Sequence, residues 1–199
     1  LQVQRPFNNS NWFDGAVLLF QAAAEGRDLS LRLEERPILI LEPELERDGN
    51  DSMLGHALLL RDLDGDGKDE LIVGQHRAND GEGGMRKERA GAVHIIRGQR
   101  LNERKWLRTR SDELVSLRGK LAYAELGFSL SVADADGNGV ADLLAIGEPV
   151  GEPMPRTTTS RPGAVHIFEG RPSDLPRLDA PTQSFFGTSS YERFGWALA

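Results

Sequence analysis

Two stretches of this chain carry oxygen ligands at alternate positions. Asp62-Leu63-Asp64-Gly65-Asp66-Gly67-Lys68-Asp69-Glu70 offers carboxylates at Asp62, Asp64, Asp66 and Glu70. Asp134-Ala135-Asp136-Gly137-Asn138-Gly139-Val140-Ala141-Asp142 offers Asp134, Asp136, Asn138 and Asp142. A hard cation such as calcium takes six to eight oxygens in a flexible shell. Alternate residues of a tight loop can fold their carboxylates onto one point, and the glycines between them permit the backbone angles this needs. Lys68 and Val140, at the seventh position, are expected to contribute backbone carbonyls. The ninth ligand of the first loop is Asp69 or Glu70, because the segment after each loop differs by one residue between the copies. The expectation is two calcium sites, the first binding more tightly because it carries more carboxylates.

Two rival readings apply to these loops. An EF-hand needs an acidic twelfth residue and flanking helices. The twelfth residues are Val73 and Ala145, and both flanks read as strands. A plain Asp-Gly turn without metal is the other rival. It would leave three or four carboxylates repelling one another in one turn, twice over.

The elements that position the loops recur along the chain. GAV stands at 15, 91 and 163; Leu-Gly or Phe-Gly stands at 54, 126 and 194; the Asp loops open at 62 and 134. The common interval is about 72 residues. Each unit holds four short runs rich in Val, Ile, Leu and Phe, bounded by Gly, Pro and Asp, which predicts four strands. In the first unit these runs are 57–60, 71–73, the run after GAV at 91, and 113–117. In the second they are 129–132, 143–146, the run after GAV at 163, and 183–186. Leu29 to Glu35 alternates apolar and polar residues and reads as a further strand. The predicted fold class is all-β: β-propeller blades, each a four-stranded antiparallel unit, in a partial ring of about three blades. The units run 1–53 (end of a preceding blade), 54–125, 126–193 and 194–199 (start of a further one). The chain reads as part of a longer one.

Composition narrows the function classes. Lys plus Arg number 24 against 31 Asp plus Glu, a formal charge of −7, which argues against a nucleic-acid surface. No run approaches the roughly 20 apolar residues of a membrane span. With no cysteine, disulfides and thiolate metal sites are excluded. No HExxH, GxSxG or phosphate-loop motif is present. His94 and His166 hold equivalent places in GAVHI, as architectural residues do, and His56 and His76 show no ligand-like spacing. The segments 75–90 and 148–162 read as solvated loops. Trp12, Trp106 and Trp196 read as packing residues or a sugar platform.

These marks resemble the FG-GAP repeat family, as in the integrin α-subunit propeller. Phe194-Gly195 is literal, Leu54-Gly55 and Leu126-Gly127 are near matches, and Val73-Gly74-Gln75 and Ile146-Gly147-Glu148-Pro149 are degenerate forms of the second element. The resemblance implies that the Asp loops lie between the first and second strands of each blade and hold calcium that rigidifies it without catalysis. It implies a protein or carbohydrate ligand at the opposite face, on loops 75–90, 148–162, 118–125 and 187–193. It implies an extracellular or cell-surface setting, for which a bacterial exported protein suits the lack of cysteine. The alternatives are a non-catalytic region attached to an extracellular hydrolase or lyase, and an intracellular scaffold propeller.

Overall fold

The computed structural model describes residues 15–20, 37–44, 52–79, 87–103, 105–150, 162–169, 180–189 and 192–199. The predicted strand at 29–35 lies outside them. The described elements are three sheets and one short helix. The first sheet contains β1 (Val17–Leu19), β2 (Leu39–Glu42) and β6 (Lys105–Arg108), in the order β1-β2-β6. The second contains β3 (Leu54–Arg61), β4 (Glu70–Gln75), β5 (Ala92–Ile96) and β7 (Val115–Arg118), in the order β3-β4-β5-β7. The third contains β8 (Leu130–Ala133), β9 (Leu143–Glu148), β10 (Ala164–Glu169) and β11 (Gln183–Phe186), again in chain order. The helix α1 (Gly98–Leu101) follows β5. The protein is all-β, and its two four-stranded antiparallel sheets are propeller blades.

The middle sheet is apolar on both faces because both are covered. Leu71, Val73 and Ile96 pack with Val17, Leu39, Leu41 and Leu107 of the first sheet. Ile72, Val93, Ile95 and Leu117 pack with Leu130, Leu144, Ile146 and Phe168 of the third. Strand alternation sends successive residues of β4 and β5 to opposite cores. Each large aliphatic side chain fully buried here contributes about 1.5–3 kcal/mol.

The recurring glycines let the sheets approach. A Cβ on Gly15, Gly91 or Gly163 would lie 2.3, 2.2 or 2.3 Å from the carbonyl oxygen of Leu54, Leu126 or Phe194. Gly91 pairs with Leu126, and Gly163 with Phe194, as isolated parallel bridges. Gly74 and Gly147 face Gly127 and Gly195 in the same way, a Cβ falling 2.3 and 2.1 Å from their carbonyl oxygens. So the GAV glycine of one sheet and the Phe-Gly mark of the next are two sides of one joint, made three times.

One strand departs from the expected pattern. The segment between β5 and β7 carries α1 and then β6, which leaves its own sheet and pairs with β2 of the first, Leu41 beside Leu107 and Glu42 beside Arg108. That pairing is parallel. Leu101, Leu107 and Leu114 from this excursion fill the core between the two sheets.

His94 is fully buried on β5 within a row of cross-strand neighbours. Its Nε2 lies 2.8 Å from Gln75 Oε1 and its Nδ1 2.8 Å from Ser116 Oγ. The amide oxygen can only accept, so Nε2 donates to it and the serine hydroxyl donates to Nδ1. This neutral ring ties β4, β5 and β7 together. Burial pushes the His94 pKa down to about 3, and the Arg118 charge adds to the effect. Burial, with the charges of His56, Arg77 and Arg89, pushes His76 to about 3 as well. A histidine held neutral when folded, but with a pKa of about 6.5 when unfolded, contributes stability above pH 6.5 that is lost as pH falls towards 3.

Two outcomes are expected. Gly74→Ala drives a methyl into the Gly127 carbonyl and lowers unfolding free energy by about 2–3 kcal/mol in urea titration. Gly67→Ala, with nothing within 4 Å of its Cβ, carries only the backbone strain of its positive φ and costs less. Between pH 7.5 and 5 the urea midpoint falls. Unfolding at pH 5 takes up two protons for His76 and His94 together, and one fewer in His94→Gln.

Candidate metal centres

Both Asp loops connect the first and second strands of a four-stranded sheet, at the same end of that sheet. Backbone amides wind around the side chains. In the first loop, Gly65 and Gly67 donate to the two oxygens of Asp62 at 2.7 and 2.9 Å. Asp66 donates to Asp64, and Lys68 to Asp66, through their backbone N–H groups. In the second, the N–H groups of Gly137, Asn138 and Gly139 converge on Asp134. Asn138 donates to Asp136 through its backbone and its side-chain amide, and Val140 donates to Asn138 Oδ1.

The carboxylates converge as well. Asp62, Asp64 and Glu70 each present an oxygen within 4.8 Å of the others, and so do Asp134, Asp136 and Asp142. Three hard oxygens at that separation suit calcium chemistry. Asp69 is outside the first group. Asp66 turns aside, its Oδ2 accepting from Gln99 Nε2 at 2.7 Å. The two groups therefore hold three carboxylates each, and Asp66, Lys68, Asn138 and Val140 lie in the same loops outside them.

The one-residue difference between the copies has a physical explanation. Glu70 lies within its strand, opposite Arg61. In the other copy the residue opposite Ala133 is Leu143, so Asp142 stands one place before the strand. Yet Glu70 accepts from the Leu63 N–H at 2.8 Å, and Asp142 from the Ala135 N–H at 2.9 Å. Leu63 and Ala135 are the second residues of their loops. The extra methylene of glutamate returns a carboxylate to the same spot from one residue deeper.

The two loops differ in charge environment. Glu70 is fully buried, and a second amide, Gly98 at 3.0 Å, holds its other oxygen. Burial raises its pKa; those amides act against the shift, and Asp64 and Asp66 add to it. Asp134 is held below the usual carboxylate range, chiefly by the Gly139 amide. The loops also touch, the Ala141 N–H donating to the Asp62 carbonyl at 3.0 Å. A cation would relieve the repulsion around Glu70 most.

This geometry, an oxygen-rich hairpin between strands one and two of a blade, has a counterpart among known families. Residues 54–96 match the FG-GAP repeat. The FG-GAP match takes in β3, the first Asp loop, β4 and β5, and the second unit repeats that order of elements 72 residues on. FG-GAP repeats are propeller modules, which agrees with the sheets seen here.

The other end of the sheets gathers residues that spacing had not linked. His56, Phe128 and Trp196 each follow a Leu-Gly or Phe-Gly pair, one in each successive unit. Their rings form a row, with His56 to Phe128 at 4.7 Å and Phe128 to Trp196 at 4.2 Å between centroids. His76 joins it, 4.5 Å from His56 and 4.9 Å from Phe128. Arg193 lies over Trp196 at 4.7 Å. Arg77, Arg89, Arg193 and His56 act electrostatically on Glu125, whose pKa burial raises. The signal for this row was the recurring Leu-Gly or Phe-Gly mark, read at the residue after each glycine.

Glu70→Ala should lower stability by about 2–4 kcal/mol in chelator, because it orphans two buried amides. Asp66→Ala, at an exposed rim position, should leave the chelated midpoint close to that of the parent. Urea unfolding of both variants provides the comparison.

Proposed function

We propose that this region is a calcium-stabilised, non-catalytic propeller module that recognises a protein or carbohydrate ligand at an extracellular or cell-surface location. The observation that carries the reading is the pair of Asp loops, each with three carboxylates drawn to one point and a shell of backbone amides that fixes them. Asp62, Asp64 and Glu70 hold one calcium ion, and Asp134, Asp136 and Asp142 the other. Asn138 through its side-chain oxygen, and Lys68 and Val140 through their carbonyl oxygens, complete the shells, while Asp66 stays with Gln99. The ion neutralises a cluster that is otherwise self-repelling, and so stiffens the hairpin.

Ligand recognition belongs at the opposite end. The His56–Phe128–Trp196 row supplies flat apolar faces, and Arg77, Arg89 and Arg193 supply cations around it. Rings flanked by arginines suit a sugar ring or an acidic side chain. Among the described residues, no helix is long and apolar enough to cross a membrane.

Calorimetric titration should find two calcium ions per chain, with dissociation constants in the range of about 10⁻⁴–10⁻³ M typical of extracellular modules. Calcium at a hundredfold excess over a site's dissociation constant should stabilise the chain by about 2.7 kcal/mol per site. Asp134→Ala should abolish one site and spare the other. A melting temperature indifferent to both calcium and chelator would reduce the loops to plain turns.

A further inference from the structure

The two Asp loops meet at one backbone contact, and the peptide bonds on either side of it lead into both sites. The Ala141 N–H donates to the Asp62 carbonyl at 3.0 Å. That carbonyl shares its peptide bond with the Leu63 N–H, which donates to Glu70 Oε2 at 2.8 Å. The Ala141 N–H in turn shares its peptide bond with the Val140 carbonyl, the oxygen assigned to the second shell. Neither bond is cis, so each N–H points the opposite way from its carbonyl. A continuous line therefore runs from Val140, through Ala141, Asp62 and Leu63, to Glu70. Two peptide units and two hydrogen bonds separate an oxygen of the second site from a carboxylate of the first.

The contact is dry. Leu63 is 3% exposed and Ala141 1%, and both belong to the core between the second and third sheets, with Ile72, Leu130 and Leu144. Hydrogen bonds in such surroundings are stronger than in water, and successive bonds in a chain polarise one another. Both ends of the line are anchored. The Gly98 N–H fixes the other oxygen of Glu70 at 3.0 Å. Asp142, next to Ala141, donates from its N–H to the Ala133 carbonyl at 2.9 Å and accepts from the Ala135 N–H. A displacement of Ala141 therefore reaches Asp142 in one loop. Through the Asp62–Leu63 peptide bond it also reaches Asp62 and Glu70 in the other.

We infer that the two calcium sites are coupled through this line, so that filling either one raises the affinity of the other. The inference rests on the calcium-binding role proposed for these loops. The Val140 carbonyl, when it ligates a cation, draws charge from its peptide bond and makes the Ala141 N–H a stronger donor. The Asp62 carbonyl accepts more strongly in turn, and the Leu63 N–H tightens its hold on Glu70. Glu70 is thereby fixed beside Asp62 and Asp64, in the arrangement that binding needs. In the other direction, Asp62 and Glu70 held in a filled first site give Ala141 a fixed acceptor, which steadies Val140 and Asp142. Such coupling is reciprocal, each site raising the other's affinity by the same factor. Repulsion between the two ions opposes it, but acts between exposed loops where salt screens it, while the line is buried. Two neighbouring blades thus stiffen as one unit.

The test titrates the whole isotope-labelled chain with calcium near physiological ionic strength. Amide resonances of Gly65 and Gly67 report the first site, and those of Gly137 and Gly139 the second. Asp134→Ala keeps only the first site and Asp64→Ala only the second. The product of the two association constants in the parent chain should exceed the product of the two single-site constants by about fivefold or more, the lower end of couplings between sites. Exchanging Ala141 for lactic acid deletes the N–H and keeps the methyl group. The same comparison in that background should give a ratio of one. In Asp64→Ala, filling the second site should also move the Leu63 amide proton downfield, as a strengthened donor requires. A ratio of one in the parent background, a ratio unchanged by lactic acid, or a Leu63 amide that does not move overturns the coupling and leaves the calcium reading standing. Glycine resonances indifferent to calcium in the parent chain overturn the calcium reading, and the coupling with it.

Discussion

Everything in this structure depends on how closely neighbouring sheets approach at their glycines. A twisted four-stranded sheet with apolar residues on both faces is unstable alone and must be covered twice. Covering it needs backbone-to-backbone contact at the rim of each joint. Gly15, Gly91 and Gly163 on one side, and the carbonyls of Leu54, Leu126 and Phe194 on the other, leave no room for even a methyl group. That contact sets the spacing at which Ile72, Val93 and Ile95 can interleave with Leu130, Leu144 and Ile146. The same joint aligns successive Phe-Gly marks, and so builds the ring row of His56, Phe128 and Trp196. The two ends of each sheet thus have different characters: one gathers carboxylates, the other rings and arginines.

The repeated units are alike in frame and different in filling. Glutamate replaces aspartate at the end of the first loop without moving the carboxylate, because the strand starts one residue earlier. Gln75 becomes Glu148 beside the recurrent histidine, where an amide on a fully buried ring becomes a carboxylate 3.4 Å from a half-buried one. Such exchanges are tolerated because backbone pairing and glycine joints fix the frame independently of these side chains.

Much of this was legible in the sequence. The 72-residue interval marks strand order and the loop positions, since each depends on local residue type at a fixed offset; the recurring glycines were visible as marks, but their role as joints came only with the structure. The convergence of Asp62 with Asp64, and of Asp134 with Asp136, follows from alternate spacing in a tight turn. Three features were not legible. That Glu70 and not Asp69 brings its carboxylate to Asp62 and Asp64 depends on where β4 begins, which follows from the pairing of Glu70 with Arg61 across the sheet. The turning of Asp66 towards Gln99 depends on an excursion 33 residues away. Strand β6 reads as Lys-Trp-Leu-Arg, a run too short to announce itself, and its partner β2 lies in another sheet. Long-range pairing of this kind leaves almost no local trace.

The crossing of β6 also orders events in time. The first sheet, as described, is finished only by residues 105–108, which follow three strands of the second sheet along the chain. During synthesis, β1 and β2 must therefore wait, one edge uncovered, while β3, β4 and β5 emerge from the ribosome. β1 and β2 precede the second sheet along the chain, yet the sheet they belong to cannot close before it. These two sheets must mature together, and a chain arrested before residue 108 would present the unpaired edge of β2 to whatever strand lay nearest.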